Sequence, residues 1–89
     1  MTKSVFTEKY NLFRLLLIET RNSKKLTQAQ VAKRLQKPQS YVSKYERGER
    51  RLDVVDFLEV AKALGASPCE FLRKLEEHTL AEDCTRQKL

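Results

Sequence analysis

Two cysteines, two prolines, two glycines, a single histidine and no tryptophan among 89 residues remove several classes of protein at once. Cys69 and Cys84 are too few for a disulfide framework, and with His78 as the only histidine no spacing matches a zinc site. No Gly-rich phosphate loop, nucleophile elbow or metal-ligand cluster is present, so no enzymatic activity, metal or cofactor is expected. The longest apolar run, Leu15 to Ile18, is four residues, against roughly 20 for a helix that spans a bilayer. The opening MTKSVFTEKY lacks the apolar centre of a secretory signal. A cytoplasmic or nucleoid location, without membrane association, is therefore expected. Cys69 should be a partly buried thiol, Cys84 a tail residue and His78 an exposed one.

What the chain does have is charge, unevenly placed. The formal net charge is +6; Met1 to Arg51 carries 13 Lys and Arg against 4 Asp and Glu, a formal +9, and Leu52 to Leu89 carries 5 against 8, a formal −3. Such asymmetry points to a polyanion on the N-terminal side, although a solvated basic surface would look the same in charge alone. The length suits one small domain, marginal when alone and helped by a dimer partner. There are no strand-like alternations, repeats or low-complexity tracts, and the expectation is an all-α fold of five helices.

The first helix should run from near Thr7 to about Ser23. Tyr10, Phe13, Leu16, Leu17 and Thr20 form its inward face, and Leu12, Leu15 and Ile18 are an apolar surplus that the last helix or a second subunit must cover. After the basic linker Ser23-Lys24-Lys25, Thr27 and Gln30 have the spacing of a capping box, with Leu26 and Val31 as its hydrophobic staple. This second helix ends near Gln36. Pro38 disfavours helical angles at Lys37 and suits the first turn of a new helix, which runs to Arg47 and is closed by Gly48 in a left-handed conformation. Val42 and Tyr45 should face inward; Gln39, Ser40, Tyr41, Ser43, Lys44 and Arg47 should face out. A face of amides, hydroxyls and cations can pair with base edges and phosphates.

Beyond the charged loop Glu49-Arg50-Arg51, Asp53 caps a fourth helix, with Asp56 near its positive end and a Leu52–Phe57 staple. Phe57, Leu58, Ala61 and Leu64 should be its buried side, and Gly65 its end. Ser67, Pro68 and Glu70 start a fifth helix that buries Phe71, Leu72 and Leu75. From about Glu77 the apolar period is lost, and the chain either frays or extends the helix toward a partner. The expected division is a domain over 8–78 and a C-terminal tail over 79–89.

The stretches LTQAQVAKRL and QSYVSKYERGERRLDVVDFLEVAKALG resemble the XRE class of helix-turn-helix domains, the class of the phage lambda repressor and Cro. The resemblance covers roughly Leu12 to Leu75. It implies a five-helix lambda-repressor-like DNA-binding domain with the helix-turn-helix at helices 2 and 3. On matching positions it implies that Gln39, Ser40 and Lys44 touch bases, Gln with adenine and Lys with guanine. It places Gln28 against a phosphate at the start of the second helix, and Tyr41, Arg47, Arg50 and Arg51 group beside it as candidates for flanking phosphates. It further implies a partly buried structural ion pair between Arg21 and Glu46. Lys25 and Gln36 stand where the class usually has glycine, so the two corners either hold left-handed side chains or turn differently.

The function expected is sequence-specific binding of double-stranded DNA by a transcriptional regulator, a repressor acting as a homodimer on a two-fold symmetric operator. The alternative is the antitoxin of a toxin pair, or an adaptor that uses the same fold to hold a protein partner. A controller of a restriction-modification operon shares every residue-level expectation with the first.

Overall fold

In the computed structural model, which describes residues 8–87 and the side chains of 8–77, the chain folds into α1 (Glu8–Ser23), α2 (Gln28–Leu35), α3 (Gln39–Arg47), α4 (Val54–Leu64) and α5 (Pro68–Gln87). No strand occurs among the described residues. The starts of α2, α4 and α5 are written in side chains. Thr27 Oγ1 accepts from the Gln30 N–H (3.1 Å) while Gln30 Oε1 accepts from the Thr27 N–H (2.8 Å), which satisfies two backbone donors that α2 itself cannot. Asp53 and Asp56 form the same reciprocal pair at α4, so Asp56 completes a box as well as lying near the positive helix end. Ser67 Oγ accepts from the Glu70 N–H (3.3 Å) at the start of α5.

The helix ends are written in backbone. Lys25, Gln36, Gly48 and Gly65 all have positive φ, at 59°, 60°, 84° and 74°. Both non-glycine corners thus keep the left-handed turn despite the Cβ, and the N–H groups beyond them satisfy the last carbonyls: Leu26 donates to Arg21 O (3.1 Å) and Lys37 to Ala32 O (3.0 Å). The start of α1 expected near Thr7 lies outside the described residues.

These four reversals wrap the helices around one core. Leu17, Val31, Val42, Tyr45, Val60 and Leu64 are almost completely buried, and the rings of Phe13, Phe57 and Phe71 meet with centroids 5.1–5.7 Å apart. Two expectations for this core are corrected. Leu58 and Leu72 are 46% and 47% exposed, while Val60 and Ala63 take the inward places on α4. The sequence VVDFLEVAKAL is apolar on most of its circumference, so its period does not choose a face; packing against α2 does. Cys69 is exposed rather than partly buried, because Phe71 is the inward residue of that turn.

Both α3 and α5 pack against α1. Leu12 and Ile18 become half-buried and only Leu15 stays exposed, at 52%. Cations tie the packing at helix ends: Arg34 Nη1 donates to Ala63 O (2.8 Å) and Lys24 Nζ to Gly65 O (3.1 Å), both at the negative end of α4. The α5 backbone continues helical through Gln87, so the segment from Glu77 extends the helix. The side chains of His78, Leu80 and Cys84 lie outside the described residues.

Candidate nucleic-acid interface

The helix that could enter a groove is α3, and it is fixed from behind. Val42 and Tyr45 anchor its inner face at 0% and 1% exposure. Next to Tyr45, Glu46 is buried and accepts the Arg21 guanidinium as a fork, Nε to Oε2 at 2.7 Å and Nη2 to Oε1 at 3.1 Å. The expected structural pair is therefore present, with side-chain exposures of 14% and 5%. Arg21 Nη1 also donates to Leu26 O (2.9 Å), Gln28 Nε2 donates to Glu46 Oε1 (2.8 Å), and Arg14 Nη1 donates to the Glu46 carbonyl (2.7 Å). One carboxylate thus joins α1, the α1–α2 corner, α2 and α3. Charge-assisted bonds of this kind set an angle between elements more firmly than apolar contact does.

The outer face carries the polar side chains. Ser40, Lys44 and Arg47, spaced four and three apart, lie on one exposed stripe, with exposed Gln39 at its leading edge. Gln39 Nε2 reaches Gln28 Oε1 at 3.3 Å, so the amide of α3 joins, through Gln28, the buried Glu46 carboxylate. The Gln28 side chain is consequently engaged inside the protein, and its own contribution to an anion would come from the backbone N–H groups at the start of α2.

Tyr41 departs from the outward position expected for it. Its ring is half-buried, edge-on to Tyr45 at 5.7 Å between centroids, and carries Arg50 and Lys37 over it at 4.8 Å and 5.1 Å. Burial pushes the Tyr41 phenol up, and the charge of Asp56 adds to this. Arg51 lies over the Tyr10 ring at 4.2 Å, and Tyr10 Oη accepts from the Leu52 N–H at 3.2 Å. The basic residues expected to act together are therefore held by three different supports: Arg50 by Tyr41, Arg51 by Tyr10, and Arg47 by Glu49.

This last contact has no counterpart in the sequence expectations. Arg47 Nε and Nη2 meet Glu49 Oε2 and Oε1 at 3.0 Å and 3.1 Å, and Arg47 Nη1 donates to Ser43 Oγ at 2.6 Å. Arg47 holds the Glu49 carboxyl below its ordinary range, and Glu49 raises the Arg47 guanidinium in turn. Residues two apart do not face one another on a helix. Gly48, at φ 84°, reverses the chain between them and makes the contact. The signal available in sequence was the Arg-Gly-Glu order at a helix end. Arg14 had no local signal, since its partner is 32 residues away.

No His, Cys, Asp or Glu group suited to a metal occurs among the described residues, and no helix there is long and apolar enough to cross a membrane. A helix-turn-helix family profile matches residues 17–71. Among solved structures, the chain is similar to an XRE-family like protein from Pseudomonas syringae pv. tomato str. DC3000, with 43% identity, 81% of this chain and 88% of that one covered, and a TM-score of 0.78. It shares its fold with the wild-type restriction-modification controller protein C.Esp1396I at 23% identity, 88% and 99% coverage and a TM-score of 0.75. The tetramer of that controller in complex with its natural 35 base-pair operator aligns with a TM-score of 0.74, at the same identity and coverage. No curated protein matches the chain. From the matched profile, the 43% identical relative and the fold, this chain belongs to the XRE family of helix-turn-helix proteins, a DNA-binding class that regulates transcription.

Proposed function

We propose that the protein is a sequence-specific transcriptional repressor that occupies a two-fold symmetric operator as a homodimer. The observation that carries this is the exposed amide, hydroxyl and ammonium stripe of α3, backed by the buried fork of Arg21 and Glu46. A helix held at a fixed angle with polar residues outward is what major-groove reading requires. Gln39, Ser40 and Lys44 are assigned to base edges. Arg47, Arg50, Arg51 and Tyr41, with the α2 N-terminus at Gln28, are assigned to the flanking phosphates. Residues 8–78 are assigned to the DNA-binding unit and 79–89 to a C-terminal tail, into which α5 continues through Gln87.

Support for a dimer lies on α4 and α5 rather than on α1. Val54 and Leu72, 74% and 47% exposed, line a groove of about 350 Å³ together with Phe13 and Phe57, and Val55 and Leu58 are further exposed apolar residues of α4. Exposed apolar surface around a groove marks association sites. A two-fold dimer would place its reading helices about 34–36 Å apart, one turn of duplex. The solved controller on its operator offers a precedent for oligomeric binding by this fold.

The test is fluorescence-anisotropy binding to the DNA upstream of the protein's own gene and to a scrambled duplex, with salt titrated in both. Specific binding predicts a preference of about 10³–10⁷-fold at physiological salt. Gln39→Ala and Lys44→Ala should each reduce affinity for the upstream DNA by about 5–150-fold, the equivalent of 1–3 kcal/mol per base contact, with a much smaller effect on the scrambled duplex. Equal binding of both duplexes by the parent would reject sequence-specific autoregulation.

A further inference from the structure

Glu49 stands out on the surface that is assigned to DNA. Between Asn22 and Leu52 the chain has only two acidic residues, Glu46 and Glu49. Glu46 is buried and neutralised by Arg21. Glu49 is therefore the one exposed carboxylate in a segment that otherwise presents lysines and arginines, and it occupies both arms of the guanidinium assigned to a phosphate. A carboxylate and a phosphate offer the same two-oxygen edge to an arginine fork. The Arg47 fork cannot present that edge to both.

Resting on the DNA-binding reading above, we propose that Glu49 is a specificity-setting residue, an internal competitor for the phosphate that Arg47 would otherwise bind. In the free protein its carboxylate holds the guanidinium on the outer stripe of α3, with Ser43 fixing the third nitrogen. A duplex approaching without matched bases must displace this carboxylate to gain one phosphate contact, so non-specific DNA gains little from Arg47. On a matched site the base contacts seat α3 closely, the phosphate replaces the carboxylate and Glu49 turns to solvent. Both side chains are more than half exposed, so the exchange needs no opening of the core.

Glu49→Gln removes the competing charge and keeps the shape. Freed of it, Arg47 should add about one phosphate contact per bound protomer on a scrambled duplex, making the slope of log K against log salt there more negative by about 0.9. At about 0.1 M salt the same term tightens scrambled DNA by roughly 5–10-fold per protomer. Upstream DNA, on which Arg47 already has its phosphate, should gain less, so the preference for it falls. Placing Glu49→Gln in an Arg47→Ala background separates release of the fork from simple loss of a repelling charge, and there the gain should vanish.

A gain that survives in Arg47→Ala would overturn the proposal, and so would an unchanged slope or weaker binding by Glu49→Gln on the scrambled duplex. If the parent binds neither duplex at any salt, the DNA-binding reading itself falls and the proposal with it. If the parent binds and only the variant cycle fails, the fault lies with Glu49 alone. Unfolding midpoints for all four proteins confirm that the comparison is made between folded chains.

Discussion

Two arginine–glutamate forks bracket the last turn of α3, and their geometry is nearly the same. Arg21 meets Glu46 at 2.7 Å and 3.1 Å; Arg47 meets Glu49 at 3.0 Å and 3.1 Å. Their surroundings differ. The first pair is 14% and 5% exposed and its carboxylate takes a further bond from Gln28, while the second is 57% and 54% exposed. Distance alone therefore says little about what an ion pair does. In the interior the alternative to the partner is a stranded charge, and the pair fixes an angle between helices. At the surface the alternative is water or phosphate, and the pair is free to exchange.

The largest expected effect separates the two. Glu46→Ala should lower stability by about 3–5 kcal/mol, because it strands the Arg21 guanidinium and removes the acceptor of Gln28. Against a total of about 5–15 kcal/mol for a domain, this approaches unfolding. Glu49→Ala should leave the urea midpoint where it is. Equal midpoints for the two variants would mean that burial does not distinguish the forks.

Tyr45 reports on the same interior from the neighbouring position. Its ring is 1% exposed, and burial, followed by the charge of Glu46, raises its phenol well above the ordinary value of 10. The unfolded chain therefore releases this proton first. The stabilising contribution is complete below pH about 10 and is lost as pH rises toward the folded value, by about 1.4 kcal/mol per pH unit. Denaturation midpoints measured from pH 9 to 11 should fall accordingly, and Tyr45→Phe should flatten the part of the fall that Tyr41 does not cause. A Tyr45→Phe protein as alkali-sensitive as its parent would place the titration elsewhere.

The same contrast between interior and surface governs how much could be read from sequence. Thr27 with Gln30 and Asp53 with Asp56 were legible as helix starts because a capping box is a local device with a fixed spacing. Val42 and Tyr45 were legible because α3 is polar on all its other sides. The α4 face was not, since its apolar residues nearly encircle the helix and its period points the exposed Leu58 inward as readily as the buried Val60. Arg21 and Glu46 were found through family resemblance, their 25-residue separation carrying no local signal. In sequence Arg47 and Glu49 are only separate charges, because their contact depends on one left-handed residue between them. The place of Tyr41 is illegible for a related reason: its side chain lies on the flank of the stripe, where helical period leaves inward and outward equally open.

The smallest effect concerns the corner that delivers Leu26 to the buried fork. Lys25 adopts φ 59° and its side chain is exposed, yet the turn it makes carries the Leu26 carbonyl to 2.9 Å from Arg21 Nη1. A left-handed side chain costs roughly 1–2 kcal/mol, and the greater freedom of glycine in the unfolded chain offsets about 0.5–1 kcal/mol of any relief. Lys25→Gly should therefore stabilise the protein by up to about 1 kcal/mol, seen as a melting temperature higher by several degrees at most. If the fork holds the turn in place, the gain should be additive with surface changes such as Glu49→Ala and non-additive with Glu46→Ala, which removes the carboxylate anchoring Arg21. A loss of stability on Lys25→Gly would show instead that the lysine itself, rather than the fork behind it, keeps the corner closed.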